Sequence, residues 1–97
     1  MATPSFVART SPAFDRLLHK LSKHHRDLPD VFEAAITILE IDPYNRSRRH
    51  NIKKLEEKPR GRGQYRLRLS RWRFRYDIKG DDVILEYCGL RREDTYR

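Results

Sequence analysis

Residues Gln64 to Ile78, QYRLRLSRWRFRYDI, alternate between apolar and charged side chains almost without a break. Tyr65, Leu67 and Leu69 alternate with Arg66 and Arg68. Beyond Ser70, Trp72, Phe74, Tyr76 and Ile78 alternate with Arg71, Arg73, Arg75 and Asp77. A period of two is the mark of a strand with one buried and one wet face. Two such runs meeting at Ser70-Arg71 predict an antiparallel hairpin. One face of the resulting sheet is then apolar and aromatic, and the other carries guanidinium groups on its wet side. Arginines fixed side by side on a rigid surface suit a polyanion.

The charge of the whole chain points the same way. Net charge is +8, and 13 of the 22 Lys and Arg fall between Arg46 and Arg75, where the only acids are Glu56 and Glu57. Such density implies a nucleic acid, an acidic protein, or both in turn. A membrane is disfavoured, because the basic pattern lies on strands and not on an amphipathic helix. The 97 residues are expected to form a single domain (1–97) around a modest core. Aromatic residues at 10% argue against disorder. The single cysteine, Cys88, permits neither a disulfide framework nor a thiolate metal site. With no membrane-spanning stretch and no signal-peptide core at the start, the expected location is cytoplasmic. No metal and no cofactor is expected.

Around the hairpin, the chain reads as follows. Ser5 to Thr10 is a short first strand. Ser11-Pro12 starts a helix with serine as cap and proline at its first position, and Phe14, Leu17, Leu18 and Leu21 make one apolar stripe. A second helix, capped by Asp27 or Asp30, repeats the stripe in Phe32, Ala35, Ile36 and Leu39 and stops at Asp42-Pro43. Tyr44 to Gly63 is a basic connector anchored by Ile52 and Leu55. The turn Lys79 to Asp82 leads into a last strand, Val83 to Gly89. The expected fold is α+β: an N-terminal strand, a two-helix hairpin, then a three-stranded antiparallel meander (β-α-α-β-β-β), with the helices on one face of an antiparallel sheet.

This order of elements and residues resembles the RelE/ParE superfamily of toxins from type II toxin–antitoxin modules, and in pattern the RelE-type mRNA interferases. The resemblance spans nearly the whole chain. It rests on Asp42-Pro43, Lys54-Leu55, Gly63-Gln64-Tyr65-Arg66-Leu67-Arg68, Trp72-Arg73-Phe74-Arg75-Tyr76, Gly89-Leu90-Arg91 and Tyr96. It implies ribosome-dependent cleavage of mRNA in the A site, in which the substrate's own 2′-OH attacks the adjacent phosphate and leaves a 2′,3′-cyclic phosphate. By the same resemblance the catalytic positions are Arg66 and Arg68 on the first hairpin strand, Arg73 on the next, Arg91 after the glycine of the last, and Tyr96. The implied partners are a cognate antitoxin with an acidic toxin-binding segment, mRNA, and the ribosome with its rRNA. The free protein is expected to be a monomer.

The chemistry of these residue types fits that role. In-line attack on a phosphodiester builds charge on oxygens that arginine grips bidentately. Lysine is common at the first two positions in RelE-type chains and can lose a proton; arginine effectively cannot. Arg66 and Arg68 are therefore stabilisers, and the general base falls among Glu86, Glu93, Asp94, Tyr96 or the ribosome. Arg46, Arg48, Arg49, Lys53, Lys54, Arg71 and Arg75 are candidates for gripping RNA or rRNA, which needs only charge. His50 in the connector is a weaker candidate for the same task. His19, His24 and His25 suit a helix end, Trp72 suits the core, and Cys88 suits a buried small hydrophobe. Two alternatives stand beside the nuclease: a ParE-like inhibitor of DNA gyrase without nuclease activity, and a catalytically degenerate homologue that only binds antitoxin.

Overall fold

The structure, a computed structural model, describes residues 4–56 and 61–91. The elements run β1 (Val7–Thr10), α1 (Pro12–Ser22), α2 (Leu28–Ile41), β2 (Asn51–Lys54), β3 (Tyr65–Leu69), β4 (Trp72–Lys79) and β5 (Asp82–Leu90). They build a five-stranded sheet in the order β1-β5-β4-β3-β2. The α+β fold and the antiparallel meander β3-β4-β5 match the sequence expectation.

The helices start and stop for local reasons. The Ser11 hydroxyl accepts from the Phe14 backbone N–H at 3.0 Å, with Pro12 at the first helical position. Asp42, ahead of Pro43, leaves helical geometry at φ −145°. Phe14 from α1 and Leu28, Ala35 and Leu39 from α2 are fully buried against Leu67, Trp72, Phe74, Tyr76, Val83, Leu85 and Cys88 of the sheet. That is the core, and it occupies one face of the sheet only. Burial pushes the Cys88 thiol up to about 12, so it stays a neutral hydrophobe. No described helix is long and apolar enough to cross a membrane.

Three features depart from the expected arrangement. First, the sheet is mixed: β1 pairs parallel with β5, Val7 opposite Asp82 and Thr10 opposite Leu85. Four residues cannot reveal which neighbour they will find or in which direction. Second, the connector contains an edge strand, β2, antiparallel to β3 with Ile52 opposite Leu67. One apolar residue in four is too little for a visible period. Third, β5 carries a bulge. Arg75 pairs with Tyr87 but Tyr76 with Leu85, so Glu86 is the extra residue. The alternation therefore changes phase: Val83 and Leu85 are buried before the bulge, and Cys88 after it.

Candidate functional site

The site lies on the sheet face turned away from the helices. Register assembles it. Arg66 stands opposite Arg75, and Arg68 opposite Arg73; on the outer side Lys53 pairs with Arg66 and Asn51 with Arg68. On the inner side Arg73 faces Gly89 and Arg75 faces Tyr87. Arg91 follows β5 directly, its backbone N–H donating to Arg71 O at 3.0 Å and its Nη1 to Ser70 O at 3.2 Å. Neighbouring strands lie roughly 4.8 Å apart, so Arg66, Arg68, Arg73 and Arg91 share one compact patch.

The patch is a cluster of like charges. Burial, then repulsion from Arg68, Arg73 and Arg91, lowers the pKa of the Arg66 guanidinium. Burial, then Arg68, does the same to Arg73, with Tyr87 opposing. Both remain cations at any physiological pH. Among the described residues no carboxylate forms an ion pair with Arg66, Arg68 or Arg91. The Nε atoms of Arg66 and Arg68 are buried and make no hydrogen bond within the chain. Buried donors without acceptors are uncommon and disfavour the folded state. An anion on the patch would offset the mutual repulsion of these cations.

The wet-face expectation fails for one member: Arg73 is only 8% exposed. It sits on the central strand with arginines on one side, Tyr87 on the other, and its Nη2 on Arg91 O at 3.4 Å. Long side chains on a crowded sheet cover one another's stems. An arginine there is a fixed group and not a solvated one.

Two further arginines of the alternating stretch are held elsewhere. Arg71 turns to the helices, where its Nε and Nη2 reach Asp27 at 3.0 and 2.8 Å and its Nη2 meets His25 Nδ1 at 3.2 Å. Arg75 stays on the open face, but its Nη2 donates to Arg62 O at 2.6 Å and its guanidinium lies over the Tyr87 ring. The backbone it holds is tight against β4: a Cβ at Gly63, whose φ is +83°, would stand 2.6 Å from the Arg75 Cβ. Asp77, 3% exposed, accepts from the Gly63 and Gln64 backbone N–H groups at 3.0 Å each. Glu86 lies near Ser11 and Asp77, and its pKa is raised by burial and then by Asp77. The open face thus has a basic end and an acidic end.

The remaining candidates form an exposed flank. Arg46, Arg48, Arg49, Lys53 and Lys54 are all exposed. Asp42 orders the connector by accepting from the Arg46 and Ser47 backbone at 2.7 and 3.1 Å. Arg46 lies over the Tyr44 ring and Lys54 over that of Tyr65. His50 is tied through its backbone to Asn45. Tyr96, Glu93 and Asp94 lie outside the described residues. Among the described residues, no three His, Cys, Asp or Glu stand close enough to hold a metal ion.

Comparison of this geometry with known proteins gives two structural matches. A chain of the RelBE2 toxin–antitoxin complex from Mycobacterium tuberculosis superposes with a TM-score of 0.68 at 25% identity, covering 92% of this chain and 100% of that one. A chain of the archaeal RelE–RelB complex from Pyrococcus horikoshii superposes with a TM-score of 0.64 at 22% identity, covering 90% and 96%. The chain has the RelE toxin fold. No protein-family model matches the sequence, and none of the curated proteins does. In this RelE-type fold the arginine patch spans β3, β4 and the residue that follows β5, and the helix pair covers the reverse side.

Sequence reading missed one member of the patch, Tyr87. Strict alternation from Val83 sends Tyr87 to the core and Cys88 to the surface; the bulge at Glu86 reverses both. The signal was present in VILEYCGL, where a cysteine and a leucine follow the tyrosine out of phase with Val83 and Leu85.

Proposed function

We propose that the chain is the toxin of a toxin–antitoxin module and cleaves ribosome-bound mRNA in the A site. The observation that carries this reading is the patch of Arg66, Arg68, Arg73 and Arg91, with buried Nε donors on Arg66 and Arg68 that lack acceptors. In the reaction the 2′-OH of the mRNA attacks the adjacent phosphorus, the P–O5′ bond breaks, and a 2′,3′-cyclic phosphate and a free 5′-OH result. Arg73 on β4 and Arg91 just beyond the end of β5 hold the non-bridging oxygens. Arg66 and Arg68 stabilise the charge that develops as the bond breaks. Donors held on strands need no reorganisation at that moment, and losing one typically costs about 10²–10³ in rate. Tyr96, by resemblance, orients the 2′-OH or stacks on a base. Arg46, Arg48, Arg49, Lys53 and Lys54 grip rRNA beside the site.

The partner is an antitoxin with an acidic segment that covers or distorts the arginine face; both matched structures are toxin–antitoxin complexes. The free toxin is a cytoplasmic monomer. The test expresses wild type and the Arg73→Ala/Arg91→Ala double variant in cells, maps mRNA ends and assays gyrase supercoiling. Wild type should arrest growth and cut mRNA at A-site positions, and the variant should do neither. Growth arrest with intact mRNA and inhibited gyrase replaces the nuclease by the ParE-like reading. Antitoxin binding with neither effect leaves the degenerate homologue.

A further inference from the structure

We propose that Tyr87 is a substrate-contacting residue of this site, its phenol hydroxyl donating a hydrogen bond to the backbone phosphate held by Arg73; the assignment rests on the RNA-cleavage reading. Three observations lead to it. The bulge at Glu86 moves Tyr87 from the core face to the arginine face, and bulges next to functional sites commonly serve to re-aim a side chain. The ring then lies along β5 over Gly89, the residue paired with Arg73. A Cβ at position 89 would stand 2.5 Å from Tyr87 Oη and 3.0 Å from Cζ. The φ of Gly89 is not in the left-handed region occupied by Gly61, Gly63 and Gly80. Glycine at 89 therefore provides room and not backbone freedom, and the phenol oxygen fills that room. The Arg75 guanidinium over the ring, 5.6 Å from its centroid, fixes the ring in this pose.

The result is a hydroxyl held over Gly89 beside Arg73, with the Arg75 guanidinium on its ring. A phenol oxygen can accept from a guanidinium and still donate its own proton. Arginine supplies charge; the phenol adds a short, directional O–H donor toward the same phosphate. The competing role is packing alone, an aromatic ring covering a glycine in a strand. Phenylalanine would serve that role equally well, so the hydroxyl itself separates the two.

The experiment compares wild type, Tyr87→Phe and Gly89→Ala. One arm measures anisotropy of a labelled single-stranded RNA hexamer carrying 2′-deoxy at its central position, which binds but cannot be cut. The other follows single-turnover mRNA cleavage on programmed ribosomes, with Tm as the control for folding. Tyr87→Phe should keep its Tm, bind the hexamer about tenfold more weakly, and cleave at least about tenfold more slowly. Gly89→Ala should shift both readouts in the same direction by displacing the phenol. Hexamer binding by Tyr87→Phe within about twofold of wild type overturns the proposal, as does a wild type that does not bind the hexamer. A wild type that binds the hexamer through Tyr87 yet cuts nothing overturns the cleavage reading and leaves the phosphate contact standing.

Discussion

The indole Nε1–H of Trp72 donates to Asp27 Oδ2 at 2.9 Å, and the same carboxylate takes the Arg71 fork through both oxygens. Asp27 begins α2, while Trp72 and Arg71 form the β3–β4 corner, so one side chain ties the helix pair to the hairpin that bears the arginines. Trp72 is fully buried, and removing Asp27 takes away the acceptor its N–H has within the fold. Asp27→Ala should lower Tm more than Asp27→Asn, because asparagine still offers Trp72 an acceptor. Hydrogen bonds from Arg71 and then Trp72 hold the Asp27 carboxyl well below its usual 3.8. A depressed folded pKa gives stability that is complete above the unfolded value and fades as pH falls below it. The Tm gap between wild type and Asp27→Asn should therefore be constant near neutrality and shrink as the melts move below about pH 4.

Arg66 should be more useful than stabilising. Burial and three neighbouring cations act on it in the same direction. Arg66→Met keeps the stem and removes the charge, so it should hold or raise Tm by a few degrees while weakening RNA binding. Adding millimolar sulfate should raise the Tm of wild type and raise that of the variant less, because an anion binds only the folded patch. A variant with lower Tm and unchanged sulfate response would place the anion elsewhere.

The exposed connector should act through charge alone. Replacing Arg46, Arg48 and Arg49 by glutamine should weaken binding of the toxin to ribosomes. The slope of log affinity against log salt should fall by up to about 2, as expected for three lost single-strand phosphate contacts. Single-turnover cleavage at saturating ribosome should stay near the wild-type rate. Loss of that rate would move the connector into the active site.

Glu86 carries the opposite pH signature to Asp27. Burial, then Asp77, raises its pKa above the usual 4.5, so the folded state favours the protonated form. Stability from this position is present below about pH 4.5 and is lost as pH rises through the folded value. Glu86→Gln keeps the size of the side chain and cannot ionise. Its Tm should exceed that of wild type by a few degrees at pH 7, and the two curves should meet near pH 4. Equal Tm at both pH values would mean that the bulge leaves Glu86 solvated.

The sequence by itself determined the two helices, the hairpin β3-β4 and the opposite chemistry of that hairpin's two faces. Ser11-Pro12, Asp42-Pro43, the two apolar stripes and the alternation from Tyr65 to Ile78 act over a few residues, so they are legible without knowing what lies across the molecule. The identity of the arginines followed from that alternation, because a strand's side chains can only point to one face or the other. Only the tertiary structure decided how those charges are used. Whether Arg71 stays on the open face depends on Asp27, and how Arg75 is held depends on the Arg62 carbonyl, each brought close by folding. Arg73 is buried because β3 and β5 flank it, and Tyr87 joins the site because pairing with β4 leaves Glu86 as an extra residue. The parallel placement of β1 and the short edge strand β2 likewise depend on partners far away in the chain. Periodicity fixes the direction of a side chain relative to its own strand; hydrogen-bond partners, burial and register come from segments the local pattern cannot see.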